Sequence, residues 1–159
     1  MAEGIGAGVQ ESVFVDFDTD SRTAAIAVGQ LIELDSDGYV TLCSAAATTK
    51  FIGVAGTAVA ATSSASQKEI SVQVGGVARV YCLKDTSGYT TSIVPGERLI
   101  VGQDNAASYT GQCLVHAPTG ASAGTDDFNT NFRQPVAIAL EAVGTGATTP
   151  VIKKVLLTL

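Results

Sequence analysis

Residues 70–82 constrain the fold more than any other stretch. Ile70, Val72, Val74, Ala78, Val80 and Cys82 all stand at even positions, while Glu69, Ser71, Gln73 and Arg79 stand at odd ones. A period of two marks a strand with one apolar face. A tight hairpin at Gly75-Gly76 would place Arg79 on the same face as Ile70, Val72 and Val74. A continuous strand, bent or bulged at the glycines, keeps the apolar set together. The parity therefore predicts one strand through 70–82, with Ile70, Val72, Val74 and Val80 buried.

The rest of the chain reads in the same idiom. Leu31, Ile32, Glu33 and Leu34 form a short strand. Asp35-Ser36-Asp37-Gly38 is a turn, and residues 39–42 return as the second arm of a hairpin. Residues 51–59 are a strand of small residues, and residues 62–67 a polar loop. The chain is 46% hydrophobic and only 15% charged, with 17 glycines and no Trp. That mix excludes a charge-driven disordered chain and a coiled coil, and suits many short strands. At 159 residues it is close to one domain, large enough for a core without staples. No stretch reads as a long amphipathic helix.

Three pieces recur in order. Leu31-Ile32 is matched by Leu99-Ile100, 68 residues on. Residues 52–59 are matched by 136–143, 84 residues on, and Ile70-x-Val72-x-Val74 by Val155-x-Leu157-x-Leu159, 85 residues on. The expected fold class is all-β: a small β-barrel built from two similar halves, with an extended N-terminal arm. Closing halves into a barrel also removes exposed strand edges. The expected division is an acidic arm over 1–22 and one barrel domain over 23–159. The unequal offsets place an inserted loop within about 111–134, carrying Pro118, Asp126, Asp127, Phe128 and Phe132. This is the candidate projecting loop. Residues 126–132 can form one short helix, with Thr125 or Asp126 as its cap.

Charge separates the arm from the body. Glu3, Glu11, Asp16, Asp18 and Asp20 supply five of the six net negative charges, and residues 1–20 hold no Lys or Arg. The nearly neutral body offers no footprint for nucleic acid. Gly4, Gly6 and Gly8 keep the start pliable. Val13, Phe14, Val15 and Phe17 form a dense apolar payload outside the body. Burying one aromatic side chain contributes roughly 1.5–3 kcal/mol, so two of them plus strand pairing offset an ordering cost of about 1–2 kcal/mol per residue only over a short segment. Val13, Phe14, Val15, Asp16, Phe17, Asp18 and Asp20 are accordingly the candidate partner-binding residues. Residues 13–17 are expected to order against a neighbouring subunit or another protein.

The catalytic and metal motifs fail on context. Gly120-Ala121-Ser122-Ala123-Gly124 has the spacing of a nucleophile elbow, but a polar loop replaces its strand and helix. The only histidine, His116, precedes the serine rather than following it. Cys113 and His116 lack an orienting third group. Asp16-x-Asp18-x-Asp20 begins like a calcium loop, but Ser21 and Ala27 replace its essential Gly and Glu. The three cysteines, Cys43, Cys82 and Cys113, contain no CxxC and read as small core hydrophobes. Lys153-Lys154 reads as an exposed bulge in a buried strand. The chain is expected to be no enzyme and to need no metal or cofactor. Its apolar runs fall short of the ~20 residues of a membrane helix, so no membrane partner is expected. The acidic N-terminus lacks the basic region of a signal peptide, so synthesis in a cytosol is expected.

The stretches AVGQLIELDSDGYVTL, FIGVAGTAVA, EISVQVGGVARVYCL, GERLIVGQD and QPVAIALEAVGTGATTPVIKKVLL resemble the head decoration, or capsid cement, proteins of tailed bacteriophages. The resemblance runs over most of residues 24–159. It implies a small β-barrel that assembles as a homotrimer on the capsid exterior of the virion. It also implies an N-terminal arm that orders against the major capsid protein. The inserted loop departs from that pattern. Two other classes fit the composition less well. A tail or adhesin-like glycan-binding module would show more exposed aromatics, and a Ser or Cys hydrolase would need the failed motifs.

Overall fold

The computed structural model describes residues 11–19, 24–43, 50–61, 68–83, 92–101, 114–116, 135–144 and 149–158. Among them there is no helix. The strands are β1 (Val13–Asp18), β2 (Leu31–Leu34), β3 (Val40–Leu42), β4 (Phe51–Ala55), β5 (Glu69–Cys82), β6 (Arg98–Val101), β7 (Leu114–His116), β8 (Ala137–Ala139) and β9 (Val151–Leu157). They form one curled sheet in the order β3-β2-β4-β5-β7-β6-β8-β9. β1 lies on β5, and β9 returns to pair with β5.

The long strand is continuous, as its parity predicts. Residues 69–75 of β5 pair antiparallel with β1, and residues 76–82 pair antiparallel with β9. Gly75-Gly76 is the joint between the two ladders. Gly76 has φ +81°, a conformation that a side chain would strain. A methyl group there would also meet the Glu11 carbonyl oxygen. Ile70, Val72 and Val80 are fully buried. Val74 is only partly buried, which corrects the expectation for it. The β1 register slips at this point, so Val13 faces Gly75 and Phe14 faces Gln73, leaving Val74 without a partner across β1. Gln73, on the expected polar face, is buried. Its side-chain amide donates to the carbonyls of Gly75 (3.0 Å) and Val77 (2.9 Å), satisfying backbone groups at the bend.

The first hairpin follows its turn chemistry. The Asp35 carboxylate accepts from the backbone N–H groups of Asp37 (2.8 Å) and Tyr39 (2.9 Å), setting β3 against β2. Lys153 and Lys154 form no bulge: they sit in regular register opposite Val80 and Arg79. Lys154 points outward, where Glu141 accepts from its backbone N–H (3.1 Å) and lies 3.9 Å from its ammonium. β7 falls inside the stretch read as an inserted loop, pairing with β6.

Two apolar clusters fill the sheet. The smaller holds Ile26, Ile32, Val40, Ala55, Val59, Ile70 and Val72. The larger holds Ala78, Val80, Cys82, Ile93, Leu99, Ala137, Ala139, Val143, Val155 and Leu157, together with Leu31, Cys43 and Val54 from the first hairpin region. Near full burial of a Val or Leu side chain contributes about 1.5–3 kcal/mol, so these clusters outweigh any single turn or cap.

Candidate partner-binding surface

Residues 13–18 differ from the expectation of an arm that orders only against a neighbour. They form β1 on β5 of the same chain. Their alternating β-branched and aromatic residues suit an extended backbone, and the free edge of β5 supplies the hydrogen-bonding partners. The end of the strand is clasped. Buried Thr19 donates its N–H to the Lys68 carbonyl (2.8 Å) and accepts the Lys68 N–H on its hydroxyl (3.2 Å).

Pairing does not bury the payload. Val13 and Phe14 are each 51% exposed, and Val15 is 42% exposed. Phe17 alone packs against the smaller cluster, through its position opposite Ile70. The Phe14 ring covers Gly56 so closely that a methyl there would overlap it. Asp16 and Asp18 are exposed. β1 therefore presents three exposed hydrophobic side chains and two carboxylates on one short strand. Exposed apolar clusters rimmed by charge are characteristic of interaction surfaces.

Asp20 of this set lies outside the described residues. So do all the loop candidates, Pro118, Asp126, Asp127, Phe128 and Phe132, and also Cys113 and Ser122. His116 ends β7, where only its backbone is described. The sequence reading missed Thr19, Gln73 and Gly56. A threonine closing an acidic run is a weak signal for the first, and nothing local marks the other two.

The described residues offer little reactive chemistry. No group of three or more His, Cys, Asp or Glu side chains among them could hold a metal ion. Cys43 and Cys82 are buried, and the Cys82 thiol lies 3.6 Å from the Val80 carbonyl oxygen. Burial pushes the Cys43 thiol far above its ordinary value, and the nearby Glu33 charge adds to the shift, so it stays a neutral core group. No described helix is long and apolar enough to cross a membrane.

Neither a protein-family model nor a curated protein matches the sequence. Among solved structures, the chain is similar to the head fiber gp8.5 N base in bacteriophage phi29. The TM-score is 0.53 at 14% identity, over 92% of this chain and 95% of that one. The likeness is one of fold and extends over nearly the whole of both chains.

Proposed function

We propose that this chain is a structural virion protein, a decoration or cement protein on the outer surface of a phage capsid. It is made in the host cytoplasm and has no enzymatic activity. The observation that carries this reading is the near full-length likeness in fold to the base of a phage head fiber. The exposed Val13, Phe14 and Val15 beside Asp16 and Asp18 support it from the chain itself. In this reading the partner is the major capsid protein, and the contact is the start of β1, Val13 and Phe14, with the residues before it. Binding only the expanded shell stabilises that shell by mass action. Contacts of this kind need a rigid sheet and an apolar edge, not a reactive centre.

The proposed fold is a barrel of two similar halves, assembling as a homotrimer. Recurring hydrogen bonds support the halves. Gly29 N–H donates to the Ala55 carbonyl (2.9 Å), and Gly96 N–H to that of Ala139 (2.8 Å). Gly29 and Gly96 share a positive φ, +88° and +93°. The Gln30 side chain accepts from Ala27 N–H (2.7 Å), as Glu97 does from Val94 N–H (2.9 Å). The bridges Ile26–Val59 and Ile93–Val143 match in the same way. The spacing is 67 in the turn and 84 in the next strand. It is 83 in the last strand, where Val72 faces Ala55 and Val155 faces Ala139. The apolar look-alikes Leu31 and Leu99 are thus one residue out of step: Arg98 stands at the place of Leu31.

The test is co-sedimentation with empty expanded capsids. The full chain is expected to pellet with the shells and to raise their melting temperature, and deletion of residues 1–20 to weaken binding. A chain that stays in the supernatant overturns the reading. Turnover of an ester panel abolished by Ser122→Ala would favour a hydrolase instead.

A further inference from the structure

We propose that β1 and the turn at residues 94–97 are the two sides of one head-to-tail contact between copies of this chain. The proposal rests on the two similar halves and names the faces that would build the trimer.

The contact already exists once inside the chain. The turn at residues 27–30 abuts the outer edge of β5, where Tyr81 N–H donates to the Gly29 carbonyl (3.3 Å). The Tyr81 ring lies 3.6 Å from the position a methyl on Gly29 would occupy. Leu31, two residues on, and Val54, its partner across the ladder, are buried in the same cluster as Ala78 and Val80.

Each participant has a counterpart that is left uncovered. Gly29 corresponds to Gly96, where a methyl would meet no atom within 4 Å. Leu31 and Val54 correspond to Arg98, which is exposed, and Ile138, which is half-buried. On the receiving side, β1 stands to the first half as residues 76–82 stand to the second. The parallel bridge from Thr19 to Val40 has its match in the parallel pair Cys82–Leu114. Ala78 then corresponds to Val15 and Tyr81 to Asp18. Ala78 is 2% exposed, but Val15 is 42% exposed.

The two uncovered faces differ in charge. Asp16 and Asp18 make β1 acidic; in the turn the Glu97 carboxylate is turned back to accept from Val94 N–H, and Arg98 beside it is exposed. The N–H of Thr19 points to Lys68, so strand alternation turns that of Asp18 outward from β5. A Gly96 carbonyl from a second copy would accept from it, as Gly29 does from Tyr81. Arg98, in the place of Leu31, would then lie over Val15 and cover it, its long stem letting the guanidinium reach round the strand to the Asp18 carboxylate. Such an interface uses different patches on each copy, so it either closes a ring or propagates. Closure at three copies gives the trimer.

The test is charge exchange at two exposed positions, read by sedimentation velocity across a concentration series. Melting curves would show that each variant is folded. Wild type is expected to be trimeric, with Asp18→Arg and Arg98→Asp each weakening association about tenfold or more. The double variant is expected to restore it, and the wild-type contact to weaken with salt. A trimer that ignores both reversals, or that the double variant fails to restore, removes this contact and leaves the trimer standing. A monomeric wild type removes both. A monomer that pellets with capsids until Asp18 is reversed assigns β1 to the capsid protein and overturns the second-copy contact.

Discussion

β1 and β9 flank the same long strand and differ in almost everything except hydrogen bonding. Both run antiparallel to β5, β1 along residues 69–75 and β9 along residues 76–82. β9 buries Val155 and Leu157 in the larger cluster and has β8 on its other side. β1 leaves Val13, Phe14 and Val15 exposed and touches a cluster only through Phe17. Backbone pairing therefore places both strands, but apolar burial anchors only one. The net worth of a backbone hydrogen bond is about 0.5–1.5 kcal/mol, below that of one fully buried aliphatic side chain. β9 is built as part of the core and β1 as a surface laid over it.

Substitutions can sharpen that contrast. The largest loss is expected at Leu157→Ala, which opens a cavity in the larger cluster. Chemical denaturation should show about 2–5 kcal/mol lost. Gly76→Ala attacks the joint between the two ladders. The strained φ and the contact with the Glu11 carbonyl predict a loss of about 1–3 kcal/mol. Exchange protection should fall at both ends of β5 rather than at one.

Alkaline pH gives a further, smaller effect. The Cys43 thiol is raised in the fold above its ordinary value of 9.0, so only the unfolded chain ionises it as the pH passes that value. Stability carries no such penalty below that pH and falls above it. Cys43→Ala should flatten the slope, as read by melting temperature against pH. The smallest effect is expected at Phe14→Ala. The exposed ring contributes about 1 kcal/mol or less to stability, while partner binding should drop clearly. A loss of stability equal to that of Leu157→Ala would make β1 a core strand and collapse the distinction drawn above.

Local patterning alone carried much of this fold. The even parity of residues 70–82 identified a continuous β5 bent at its glycines, because strand side chains alternate faces whatever lies around them. Asp35 to Gly38 identified the first hairpin turn, because its chemistry is contained within five residues. The exposed payload of Val13, Phe14 and Val15 was legible as an apolar group among acids.

What the sequence could not decide depended on partners distant along the chain. Whether residues 13–18 hang free or pair depends on the open edge of β5, more than fifty residues away. The burial of Gln73 depends on a bend whose carbonyls need a donor, not on its place in the alternation. The correspondence proposed between the repeated pieces rests on the glycine turns and their hydrogen bonds, since Leu-Ile pairs look alike in any strand. Leu31 is buried while Arg98 is exposed, although both open short strands after a glycine turn, because Ala78, Val80 and their cluster cover one and nothing in the described chain covers the other. Periodicity reports which side of a strand is apolar. Only the assembled sheet decides what that side meets.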